Sequence, residues 1–240
     1  MTMKQMVKSM ALVALVLAFA AGAAYAQPPS GPCIVPDNGS GTVTLPPAGC
    51  AYLSPDQVHM IIAGLPPGTT IILDPIHQNF ICRKLGLCGT PGGPLGGEVE
   101  DFTSNAVFRL SGTGALSGWV RTVTVPLAVQ TATEPRPTGP VQTFKTDMQR
   151  IQGSITGDPD FALFEVKGGT ANGFSSPGIT TLTKQSSGDF RVDSSFNVGY
   201  QISFVGAAGG KLSGLSGTTK GTVTMTAVKP CTDAANCPCP

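Results

Sequence analysis

The sequence predicts an all-β fold, an antiparallel β-sandwich with one short helix near its N-terminus. Three observations lead there. Glycine (31) and proline (21) are abundant and punctuate short runs rich in Val, Ile, Phe and Thr. In Phe196, Val198, Tyr200, Ile202 and Phe204 every second residue is apolar, while Asn197, Gly199, Gln201 and Ser203 fill the other face, as in a strand with one side buried. Charged residues make up only 12% of the chain, about half the usual share of a soluble domain.

The first element is a leader. Lys4 and Lys8 precede an apolar run from Ala11 to Ala24, and Ala24-Tyr25-Ala26 offers the small residues of a cleavage site. The run is shorter than the ~20 residues of a spanning helix, which argues against the alternative of an uncleaved anchor. Residues 1–26 are therefore read as a secretory signal peptide, and the protein as secreted, extracellular or periplasmic. Losing Lys4 and Lys8 turns the net charge from +1 to about −1. That balance gives no pull toward nucleic acid or anionic lipid, and no membrane insertion is expected after processing.

Four stretches follow from composition: the leader, a Pro/Gly-rich segment at 27–50, a β-sandwich domain at 51–228 and a Cys-rich tail at 229–240. Seven cysteines fall in three local groups, in a compartment where disulfides persist. Neighbour pairing gives Cys33 with Cys50, Cys82 with Cys88, and Cys231 with Cys237 or Cys239. Connectivity beyond that stays open, and Cys239 is the candidate for an intermolecular disulfide.

The elements follow in order. Thr42-Val43-Thr44-Leu45 is a short strand, and Asn38-Gly39-Ser40 reads as a turn more simply than as a glycosylation site. Ser54-Pro55-Asp56-Gln57 has the residues of a helix N-terminus, and Val58, Ile61, Ile62 and Leu65 recur at helical spacing. Gly64 and Pro66-Pro67 would end that helix, so two turns are expected over 55–63. Strands are expected at 69–76, 98–112, 116–129, 141–153, 161–167, 179–183, 190–205 and 217–228.

Short motifs recur in the same order in the two halves: Pro67-Gly68-Thr69-Thr70 with Pro177-Gly178-Ile179-Thr180, Val99–Phe102 with Val192–Phe196, and Leu116-Ser117-Gly118 with Leu212-Ser213-Gly214. A duplicated β-unit and chance recurrence both account for them. Pro140-Val141-Gln142-Thr143-Phe144, Gly157-Asp158-Pro159-Asp160-Phe161 and Ser176-Pro177-Gly178-Ile179-Thr180-Thr181-Leu182-Thr183 lead into a glycine-rich stretch at 206–221. Together with 64–71, this set resembles uncharacterised secreted bacterial all-β modules over most of 50–228. The resemblance implies secretion and a β fold and carries no functional residue.

Catalytic signatures are sparse. Gly-x-Ser-x-Gly, His-Glu-x-x-His and the phosphate-cradling loop are all missing. The only histidines are His59 and His77. His77, near Asp74, reads as a polar residue at a strand end, and a triad or binding site built on the pair is the sharper alternative. Glu98, Glu100 and Asp101 open a strand and form one of two acidic clusters with the carboxylates a glycosidase pair requires. Asp158 and Asp160 flank a proline, which is turn chemistry first and a Ca2+ or glycosidase pair second. Trp119 is assigned to the core or its rim. No catalytic residue, metal or cofactor is assigned, Ca2+ at Asp158 and Asp160 being the one alternative. The reading is an exported, non-catalytic module with a structural, adhesive or binding role, of unknown partner. A secreted hydrolase of polysaccharide or ester and a Ca2+- or glycan-binding module are the alternatives.

Overall fold

The computed structural model describes residues 30–54, 59–61, 63–83 and 88–230. Residues 1–26, expected to be a signal peptide, and Cys231, Cys237 and Cys239 lie outside them. The strands described are β1 (Ser30–Gly31), β2 (Ile34–Val35), β3 (Ala51–Leu53), β4 (His59–Ile61), β5 (Ile71–Cys82), β6 (Gly89–Pro91), β7 (Glu98–Gly112), β8 (Val120–Thr133), β9 (Val141–Thr156), β10 (Phe161–Gly168), β11 (Pro177–Lys184), β12 (Phe190–Gly206) and β13 (Ser216–Pro230).

Eight of them form a closed antiparallel barrel in the order β3-β5-β7-β8-β9-β10-β12-β13. The ring shuts where β13 pairs with β3 (Ala227 opposite Tyr52) and β3 with β5 (Tyr52 opposite His77). The sandwich expected from the sequence is thus incorrect. Sandwich and barrel strands share one period-2 pattern; what separates them is whether the terminal strands meet. That contact joins Thr226 to Leu53, 173 positions apart, and no local pattern encodes it.

The helix expected over 55–63 is also overturned where the chain is described. Residues 59–61 form β4, with Ile61 opposite Ile71 and fully buried. A short apolar run suits helix or strand equally, and here the free edge of β5 takes it. Residues 55–58 and 62 lie outside the described set.

β9 and β12 are 16 and 17 residues long, and two strands fill the gap between them end to end. β10 lies between them at one end (Phe164 opposite Ile155 and Phe204). β11 does so at the other (Thr180 opposite Phe144 and Ser194). The recurring motifs do not occupy matching places in this arrangement. Strand neighbours agree, β5-β7-β8 against β11-β12-β13, but Phe102 faces Cys82 whereas Phe196 faces Gly178.

The interior is layered. At the closed end Phe161, Phe164, Phe204, Leu110 and Leu212 are almost fully buried, and the aromatic rings meet edge to face. At the other end Val43 and Leu45, from the segment tied by the Cys33–Cys50 disulfide, pack on Phe144, Leu182, Phe190 and Val192. A second disulfide joins Cys82 and Cys88. Both bridges fit an oxidising setting. Outside, β13 presents Thr218, Lys220, Thr222 and Thr224. No helix among the described residues is long and apolar enough to cross a membrane.

Candidate functional site in the barrel lumen

Between the two apolar ends the lumen holds two adjoining chambers. The larger, about 70 Å³, is apolar, lined among others by Leu73, Ala106, Phe108, Val198, Met148 and Met225. The smaller, about 20 Å³, is polar on one side, where Glu100, Thr131, Thr146 and Thr180 meet. Tyr52, His77, Met148 and Phe196 border both.

Strand alternation places these groups. On β7, Glu100, Phe102, Ser104, Ala106 and Phe108 fall on one face and all are buried. On β5 the same rule aims Leu73 and His77 inward. A bulge then interrupts the pairing with β7 between Gln78 and Ile81. Asn79 at its centre has φ 59°, a left-handed conformation Asn tolerates better than most residues. The extra residue turns Phe80 back into the barrel, against Tyr52, His77 and Phe102.

The polar groups make short chains of hydrogen bonds. His77 Nε2 and Ser104 Oγ are 2.6 Å apart. Tyr52 Oη donates to Ser194 Oγ at 3.1 Å, and Ser194 shares a 2.8 Å bond with Thr180 Oγ1. Thr131 Oγ1 donates to Glu100 Oε2. Glu100 Oε1 and Thr146 Oγ1 are buried without a hydrogen-bond partner among the described residues. The nearest cation is Arg136 of the β8–β9 loop, whose Nη2 is 3.5 Å from Glu100 Oε1. Arg136 is itself held by the Val43 carbonyl and by Glu98, both at 2.6 Å.

Burial sets the protonation states. It pushes the Glu100 carboxyl up to about 7, against the Thr131 bond and the Arg136 charge. It lowers the His77 imidazole to about 4 and raises the Tyr52 phenol to about 12. At neutral pH the histidine and the phenol are uncharged.

The residues singled out from the sequence separate. His77 is in the lumen, in the middle of β5 and not at a strand end. Asp74 alternates with Leu73 onto the other face of β5, opposite Arg109, so His77 and Asp74 do not converge. Asp158 and Asp160 sit outside the closed end. Asp158 Oδ1 accepts the backbone N–H of Asp160, and its Oδ2 accepts from Arg121 at 2.6 Å. Asp160 accepts from Trp119 Nε1 and from the Lys211 N–H. All four oxygens thus face donors, the Arg121 guanidinium among them. Burial raises the Asp158 carboxyl, but the Asp160 and Arg121 bonds outweigh it and the group is held low. Among the described residues no three His, Cys, Asp or Glu gather as metal ligands would. Of the Glu98, Glu100, Asp101 run, only Glu100 reaches a chamber; Asp101 pairs outward with Arg83.

Thr146 and Tyr52 were not singled out as site residues by sequence reasoning, and Glu100 was named only as one of an acidic run. The signal was present for Glu100, which shares the parity of Phe102 and Phe108. Comparison with family models, with curated proteins and with solved structures finds no match.

Proposed function

We propose that this chain is an exported, non-catalytic binding protein whose barrel lumen holds a small, mainly apolar molecule. The observation that carries the reading is the 70 Å³ apolar chamber. Interiors pack with few voids larger than a water, and an unfilled one costs roughly 24 cal/mol per Å³, or about 2 kcal/mol here. Such a void is apolar enough to stay dry and to take up an apolar guest. Met148 and Met225 border it, and methionine adjusts to irregular shapes more readily than other core residues. Export is supported by the leader sequence and by disulfides that fit an oxidising compartment.

The test is a titration with 1-chlorobutane, followed by the methyl resonances of Met148 and Met225 in the labelled chain. Saturable shifts are expected, and their loss in Ala106→Leu, which fills the chamber. An unresponsive pair of methionines in the parent chain refutes the reading.

A further inference from the structure

The lumen reading leaves the small polar chamber unexplained. It adjoins the apolar chamber through Tyr52, His77, Met148 and Phe196. Two of its polar atoms, Glu100 Oε1 and Thr146 Oγ1, have no hydrogen-bond partner among the described residues, although Glu100 is 2% and Thr146 3% exposed. Thr146 Oγ1 is left with no partner there and Glu100 Oε1 with only the Arg136 charge at 3.5 Å, which is costly in an interior where polar groups are otherwise satisfied.

Resting on the lumen reading, we infer that the ligand is amphiphilic, with a neutral hydroxyl head bound between Glu100 and Thr146 and an apolar body in the larger chamber. Size, hydrogen-bond sense and charge agree. A volume of about 20 Å³ suits a head group of about the size of a water. Glu100 Oε2 already accepts from Thr131, so Oε1 asks for a donor when the carboxyl is ionised and for an acceptor when it is protonated, while the Thr146 hydroxyl can donate or accept. One O–H satisfies both: it donates to Glu100 Oε1 and accepts from Thr146 Oγ1. An anionic head would meet Glu100 with Glu98 close by. An ammonium would share its carboxylate with Arg136, 3.5 Å from that same Oε1. The remaining groups at the chamber do not compete for the head. Thr180 is bonded to Ser194, and His77 is bonded to Ser104.

The experiment compares 1-butanol, 1-chlorobutane and butylamine on the full chain, in the parent, Thr146→Val and Thr146→Ser. Valine keeps the shape of threonine and removes only the hydroxyl, and it takes away a group that has no partner, so folding is preserved. The expected result is butanol binding at least tenfold more tightly than chlorobutane in the parent and in Thr146→Ser. In Thr146→Val the two should come within about twofold, with chlorobutane affinity unchanged. Equal binding of butanol and chlorobutane in the parent overturns the head-group assignment and leaves the lumen reading standing. So does a butanol preference that survives in Thr146→Val, or butylamine binding more tightly than butanol. If none of the three moves the Met148 and Met225 methyls, both readings fall together.

Discussion

His77 and Ser104, on neighbouring strands of the barrel wall, are joined inside it by a 2.6 Å hydrogen bond, and burial keeps the imidazole neutral down to about pH 4. Glu100, on the same face of β7 as Ser104, is displaced the opposite way, to about 7. Both are buried titratable groups, and each makes stability depend on pH with its own sign.

For His77 the unfolded chain binds more protons between about 4 and 6.5. Its contribution is therefore complete above pH 6.5 and is lost as pH falls through 4. For Glu100 the folded chain binds more protons between 4.5 and about 7, so its contribution is complete below 4.5 and is lost as pH rises through 7. The two slopes oppose each other between pH 4.5 and 6.5. Relative to the parent, His77→Gln should gain about 3 kcal/mol as pH falls from 6.5 to 4, and Glu100→Gln about 3 kcal/mol as pH climbs from 4.5 to 7. Urea unfolding at each pH reads both differences; a flat difference for either variant removes that group from the account.

Arg136 reaches from a loop to the rim of the lumen and holds three partners: the Val43 carbonyl, Glu98 and Glu100. Arg136→Met leaves Glu100 buried beside no cation, and a loss of about 3 kcal/mol in unfolding free energy is expected. Replacing Glu100 by Gln in the same chain should recover a large part of it. Arg136→Lys should not match the parent, because an ammonium cannot bond the carbonyl and the carboxylate with one planar fork. Equal midpoints for Arg136→Lys and the parent would show that charge alone matters.

The Cys33–Cys50 disulfide closes a loop of 17 residues and the Cys82–Cys88 disulfide one of 6. Chain entropy assigns them about 3 and about 2 kcal/mol respectively. The first also fastens Val43 and Leu45 over Phe144 and Phe190. Changing Cys33 and Cys50 to Ser together should lower the thermal midpoint more than the same change at Cys82 and Cys88, and should raise binding of an apolar dye. The reverse order would place the fastening elsewhere.

Much of the wall was legible. The stretches read as strands at 98–112, 141–153, 161–167 and 190–205 overlap β7, β9, β10 and β12, because long antiparallel strands with one buried face carry their period in every pair of residues. Both disulfides also followed from spacing between neighbours. The helix expected over 55–63 gives way to strand at 59–61, because its signal was four apolar residues and β5 offered Ile61 a strand partner.

The sequence by itself determined the β class, the alternating faces of the Phe196–Phe204 stretch and the two local bridges, since all of these depend on residues close together in the chain. Only the tertiary structure decided that the sheet closes, and with it the lumen, the burial of His77 and Glu100, and the separation of Asp74 from His77. Those depend on β13 meeting β3 across 173 positions, a pairing chosen by the geometry of the whole sheet and not by any segment of it.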